Sequence, residues 1–479
     1  MFEQYINGRC VDGKGAAFDV VNPATEEVIA SVGAADELQT IEALEAAQEA
    51  FKGWSRTSIN ERIAWIVRLR DAFLAESETV VDLLAREAGK SYPEAAGECK
   101  AAVAMLNFYA EEIKRVYGTI LPDHVSKPGE VLHLVQRYPV GVTVGHLAWN
   151  FPMQNAALKL APSLASGCTC VLKPASNTPL ATLYLGMIAE KIGFPKGVFN
   201  IVAGPSSVVG RTLNESKIPR LIGLIGSSDT GRHVLSQAST SIKRFSLELG
   251  GNAPAVVMPD VDLESTAAYM VTRKTAPCAG QGCANINRIY VHASVHDKFV
   301  DLLLQNIQKV KVGWGRELSN AMGPLIDKAA RDRVLELIGD ATDKGARLLF
   351  GGKIPEDLPV GSFIMPTLLD NAQDNMRVCH EEIFGPVLVV YTFDSLDEVI
   401  ARANDTDYGL NSYLFTYDSR VIARVHEEFG FGEVEVNNPG RSGGIDLPHV
   451  GIKESGVGCD RSKWSLEPYL WMRRLSIRS

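Results

Sequence analysis

Cys283 closes the turn Gly280-Gln281-Gly282 that follows a helix predicted over 264–274. Gly280 and Gly282 can take positive φ and carry no side-chain bulk, so a ligand can approach the backbone closely there. A thiol on such a turn, beside free backbone N–H groups, is placed to act as a nucleophile next to an oxyanion site. Its nucleophilic form is the thiolate, which calls for a nearby base or dipole. Taken alone, the same residue reads more readily as a small buried hydrophobe, as most unpaired cysteines are. Four further chemistry-bearing stretches lie at the ends of predicted strands: Trp149-Asn150, Lys173, Gly226-Ser227 and Glu248.

The elements that must position these groups alternate. Strands predicted over 140–144, 169–172, 199–202, 221–225 and 242–247 are separated by helices over 152–166 and 180–192. Short apolar strands alternating with helices predict a parallel sheet covered on both faces, with ligands at the carboxyl ends of the strands. A second α/β unit begins with a strand over 255–258, holds Cys283, and continues through strands over 288–291, 348–350, 387–393 and 412–416 and a helix over 295–309. Before the first sheet come a hairpin over 5–21, with turns at Asn7-Gly8 and Asp12-Gly13, and four helices, the last opening at Pro93 and running to 117. Residues 118–139 read as an extended arm and 466–477 as an edge strand, both expected to pair between subunits. The predicted division is a dinucleotide-binding domain over 1–117 and 140–249, a catalytic domain over 250–447, and an oligomerisation arm and tail over 118–139 and 448–479.

Composition narrows the function class. The chain has 479 residues, 46% hydrophobic and 22% charged, which suits two or three globular domains. A net charge of −9 argues against nucleic acid or an anionic membrane as partner. No apolar run is long enough to span a bilayer, and the first residues lack signal-peptide character. The eight cysteines have no disulfide spacing, and no His/Cys cluster completes a metal site around Cys168-Thr169-Cys170, which reads as part of a buried strand. A reduced, cytoplasmic enzyme without metal is expected.

The stretches Ala148-Trp149-Asn150-Phe151-Pro152, Lys173-Pro174-Ala175-Ser176, Leu247-Glu248-Leu249-Gly250-Gly251, Gly280-Gln281-Gly282-Cys283 and Glu382-Ile383-Phe384-Gly385-Pro386 together closely resemble the aldehyde dehydrogenase superfamily, nearest its succinate-semialdehyde and lactaldehyde dehydrogenase branch. The resemblance implies an α/β fold with a Rossmann-type cofactor domain, an α/β catalytic domain and a small β arm. It implies that Cys283 adds to an aldehyde carbonyl, that the Asn150 amide and the Cys283 N–H hold the oxyanion, and that Glu248 activates the water that hydrolyses the thioester. It implies NAD or NADP as cofactor, held by Trp149, Lys173, Pro174, Ala175, Ser176, Gly210, Gly226, Ser227, Leu249, Glu382 and Phe384, with pyrophosphate at the helix opened by Gly226-Ser227. A homodimer or homotetramer is implied as well.

Departures from the family pattern bear on the substrate. Succinate-semialdehyde dehydrogenases carry arginines at the positions of Leu158 and Pro277, which leaves a carboxylate tail here without its usual partners. Arg441 in Pro439-Gly440-Arg441-Ser442 is the replacement cation expected from sequence. Ser176 stands where strictly NAD-dependent members often carry glutamate, so NADP should be accepted and dual use is favoured. The expected reaction is oxidation of a small polar or anionic aldehyde. The rivals are a coenzyme-A-acylating enzyme, and a catalytically silent binding or structural protein on this fold.

Overall fold

The computed structural model describes residues 2–318, 321–438 and 444–478. Two large sheets carry the architecture. The first runs in the order Arg9–Val11, Gln4–Ile6, Phe199–Ile201, Thr169–Lys173, Val142–His146, Pro219–Ile225, Arg244–Glu248, Gly456–Val457. Its five central strands are parallel, and the strands at both margins join antiparallel. The second runs Arg347–Phe350, Thr367–Asp370, Val387–Phe393, Ile286–His292, Ala253–Val257, Asn411–Phe415, Glu433–Val436, parallel except at its first pair. The central strands Val142–His146, Thr169–Lys173 and Ala253–Val257 are buried throughout, as strands covered on both faces must be. The helix Pro152–Ser166 is buried along its whole length, packed between the first sheet and the helices Ile59–Ala75 and Tyr92–Glu112.

Several boundaries differ from the sequence reading. The turn at Asn7-Gly8 forms a hairpin, but Ala17–Val21 leaves it and pairs with Val28–Gly33. The fourth helix, Tyr92–Glu112, tightens into a single turn at Ile113–Arg115 instead of reaching 117. The arm and tail were expected to pair between subunits. Within the chain they pair with each other: Val131–Pro139 lies antiparallel to Leu470–Arg478 over nine register pairs, with Thr119–Leu121 on its other edge. Among the described residues no helix is long and apolar enough to cross a membrane.

Candidate active site

Cys283 sits just before the strand Ile286–His292, at the amino end of the second sheet, and meets groups that follow strands of the first. Positive φ falls on Cys278, Ala279 and Gly280 (57°, 49° and 78°), whereas Gly282, expected to share it, does not take it. A Cβ on Gly280 would lie 2.6 Å from the carbonyl oxygen of Gly385, so only glycine lets the cysteine turn pack on the 382–386 loop. Gln281 is fully buried and ties the turn down: its amide donates to Cys278 O (2.8 Å) and accepts from Ile326 N (2.9 Å). Gly251 shows why glycines follow Glu248, since a Cβ there would come within 2.2 Å of Cys283 O.

The Cys283 thiol donates to Glu248 Oε1 at 2.7 Å. His449 Nε2 lies 3.0 Å from the same oxygen, and its Nδ1 bonds Glu433 Oε1. Burial opposes ionisation of Glu248, but the His449 charge and hydrogen bond, the thiol and Lys159 outweigh it, and the carboxyl is held down at about 2. His449 is raised well above the ordinary imidazole range: burial works against its charge, and Glu248 and Glu433 overcome it. Burial first, and the Glu248 charge second, push the Cys283 thiol up to about 11. This corrects the expectation of a thiolate-favouring neighbourhood. At rest the site holds a thiol, a carboxylate and an imidazolium.

Asn150 is buried; its amide donates to Gln281 O (3.1 Å) and carries a second N–H. The Cys283 backbone N–H has no partner among the described residues. Both Asn150 and Cys283 line two cavities at once, so they mark where the cavities meet.

The first cavity is a cleft of about 480 Å³ that brings together Trp149, Gly226, Ser227, Leu249, Glu382 and Phe384. Ser227 caps the helix Ser228–Ala238, accepting from Thr230 N at 3.2 Å, so the helix N-terminus faces this cleft. The Trp149 and Phe384 rings stand edge to face at 5.4 Å. Glu382 accepts from Gly251 N at 3.0 Å, and burial raises its carboxyl to about 7. Lys173 ends its strand buried, lowered to about 8 by that burial, with Gly210 packed beside its side chain. Pro174 accepts from the Lys173 ammonium at 3.5 Å, and Ala175 is half-buried. Ser176 lines a different cavity, with Asn177, Asp327 and Lys328. A helix N-terminus for phosphate, an aromatic pair and a carboxylate able to accept from hydroxyls fit a dinucleotide.

The second cavity, about 330 Å³, opens behind Cys283. Leu158 and Pro277 line it, and so do Arg273, Tyr413, Arg461 and His449. Arg441 lies outside the described residues. Sequence reasoning passed over His449, Arg273 and Arg461. His449 is 201 positions from Glu248, and a lone histidine in a loop has no spacing that announces a partner.

The Aldehyde dehydrogenase family profile matches residues 10–475. The chain is 39% identical over 476 residues to glutarate-semialdehyde dehydrogenase of Pseudomonas aeruginosa, covering 99% of this chain and 97% of that one. It is 38% identical over 473 residues to the NADP(+) succinate-semialdehyde dehydrogenase of Escherichia coli, covering 98% and 97%. An E. coli NADP-dependent enzyme of known crystal structure superposes with a TM-score of 0.96 at 37% identity, covering 100% of this chain and 98% of the other. The chain belongs to the aldehyde dehydrogenase family. It is an oxidoreductase, an aldehyde dehydrogenase that uses NAD or NADP.

Proposed function

We propose that the protein oxidises a small polar or anionic aldehyde to its carboxylate through a thioester on Cys283 that water, not coenzyme A, releases. The observation that carries this reading is the 2.7 Å contact between the Cys283 sulfur and a buried, ionised Glu248 where the two cavities meet. The thiol adds to the carbonyl carbon as its proton passes to Glu248. The new oxyanion of the thiohemiacetal is held by the Cys283 N–H and the Asn150 amide. Bound dinucleotide supplies the hydride acceptor. Collapse of the oxyanion then leaves a thioester, and Glu248, its proton returned to solvent, takes one from a water that attacks the acyl carbon. Carboxylate leaves and the thiol is restored.

Trp149, Gly226, Ser227, Leu249, Glu382 and Phe384 hold the dinucleotide in this reading, with Lys173, Pro174, Ala175, Ser176 and Gly210 at its adenosine end. Neutral Ser176 leaves room for a 2′-phosphate, so both NAD and NADP are used. Ser176→Glu should cut kcat/KM for NADP at least tenfold and spare NAD; an unchanged ratio removes Ser176 from the site. The domain division given by the sequence, assembly as a homodimer or homotetramer, and a cytoplasmic setting complete the proposal; eight free cysteines support a reducing compartment.

Glu248→Gln is the test. Both the burst of reduced dinucleotide and the steady-state turnover should fall, because Glu248 takes the thiol proton in acylation and the water proton in deacylation. Full steady-state turnover in that variant, or turnover that depends on added coenzyme A in the wild type, overturns the hydrolytic reading. Cys283→Ala should abolish hydride transfer and leave dinucleotide binding measurable by fluorescence.

A further inference from the structure

Glu98 is a buried carboxylate that takes no part in the mechanism above. It is 4% exposed, on the helix Tyr92–Glu112, and lines neither of the two cavities. Its partners show what it holds. The helix Pro152–Ser166 opens without a side-chain cap of its own, since Phe151 stands at the capping position. Pro152 has no N–H, and Asn155 N bonds Phe151 O at 2.8 Å, which leaves the N–H groups of Met153 and Gln154. Both donate to Glu98 Oε1, at 2.7 and 3.2 Å. Glu98 Oε2 pairs with Lys90, whose ammonium stands 3.9 Å from the centre of the Phe151 ring. Asn150 is therefore followed directly by a ring under a cation and a helix start tied to a carboxylate.

The same helix reaches the other half of the oxyanion site. Glu94 lies one turn before Glu98 on the same face. One of its oxygens accepts from Cys278 N at 3.2 Å, and the other from Ser91 N at 3.0 Å. Cys278 opens the turn that ends at Cys283, and its thiol donates to Asn150 O at 3.6 Å. The Asn150 amide donates back to Gln281 O within that turn. The two segments touch each other, and both are anchored to a single helix by carboxylates four residues apart. Oxyanion donors act only over a narrow range of distance, so the gap between them decides how well they work.

We propose that Glu98 and Glu94 are positioning residues that set the gap between the Asn150 amide and the Cys283 N–H, Glu98 holding the first and Glu94 the second. The inference rests on the thioester reading of Cys283 and names what keeps its oxyanion site in register. Both carboxylates act through the donors, because neither lines the space where aldehyde or dinucleotide would sit. A carboxylate suits the Asn150 end: it meets two N–H groups at the positive end of a helix and is itself fixed by Lys90.

The experiment measures kcat and dinucleotide affinity of the full-length enzyme, with the fastest of glycolaldehyde, lactaldehyde and succinate semialdehyde as substrate. Glu98→Leu combined with Lys90→Met removes the acceptor without stranding a buried charge. It should lower kcat by roughly tenfold or more and leave dinucleotide affinity within about twofold of wild type. Glu98→Gln combined with Lys90→Met keeps an acceptor oxygen for the helix start and should recover most of the loss. Placed in an Asn150→Ala background, Glu98→Leu with Lys90→Met should cost no more than about twofold, because the donor that Glu98 positions is already gone. Glu94→Ala should lower kcat by roughly threefold or more through the cysteine turn, and it decides the matter if the buried pair fails to fold. Unchanged kcat in Glu94→Ala or in Glu98→Leu with Lys90→Met, or the full loss repeated in the Asn150→Ala background, overturns the positioning role while leaving aldehyde oxidation standing. A wild type that reduces no dinucleotide with any of the three aldehydes, or Asn150→Ala as fast as wild type, overturns the oxyanion reading itself.

Discussion

Between Glu248 and Glu433 the imidazolium of His449 does at close range what solvent does for an exposed carboxylate. Without that charge, burial would raise the Glu248 carboxyl, and the base would be lost at a higher pH. In His449→Gln the acid limb of the kcat profile should therefore move up by at least one pH unit, about 1.4 kcal/mol of lost differential stabilisation. An unmoved limb would show that His449 does not set the protonation of Glu248. The thiol gives a second reading. With Cys283 raised to about 11, iodoacetamide alkylation of the cofactor-free enzyme should climb steadily from pH 7 through pH 9; a plateau below pH 8 would contradict a protonated resting thiol. Cys283, Glu248 and Asn150 were legible in the sequence because each sits in a short motif whose glycines or strand-end position carries local information. His449, Arg273 and Arg461 were not, because their meaning lies in partners or cavities assembled from distant segments.

Lys159 and Asp460 show the same division at the level of elements. The helix Pro152–Ser166 was readable from its apolar run, but nothing local shows that Lys159 turns inward to meet a carboxylate 301 positions away. Both side chains are almost wholly buried, and their ammonium–carboxylate contacts of 2.8 and 2.9 Å fasten this helix to the segment that carries His449. Removing one partner strands a buried charge, so Asp460→Ala should destabilise the protein by about 3–5 kcal/mol, read as a lower urea midpoint. The double replacement Lys159→Met with Asp460→Leu should recover most of that loss. Equal midpoints for the single and double variants would mean that packing, not the charge, is what Asp460 supplies. The strand–helix alternation of the first sheet gave its parallel order away in advance. The pairing of arm with tail did not show, because antiparallel partners so far apart in sequence leave no turn signal between them.

Over the whole molecule, the three-stranded sheet of arm and tail stands out for its exposed apolar side chains: Ile120, Leu132, Trp471, Met472, Leu475 and Ile477. Such a patch on a sheet with open edges supports the proposed homo-oligomer, with this sheet as its association surface. Light scattering should show an oligomer at micromolar concentration, and truncation after Tyr469 should shift it toward monomer; a wild-type monomer would contradict the assignment. The pairing of Val131–Pro139 with Leu470–Arg478 also imposes an order in time. A ribosome that has made the first strand must add about 340 further residues before the second exists, roughly 20–70 s at bacterial and eukaryotic synthesis rates. Until the tail is made the nascent arm is a two-stranded ribbon of Thr119–Leu121 and Val131–Pro139 with one edge unpaired, while the central strands of the sheet that holds Glu248 are complete once residue 248 has been added. In the proposed oligomer, subunit assembly through this sheet is then confined to the period after synthesis of the tail, and a nascent chain should meet chaperones through the arm before it meets a second subunit.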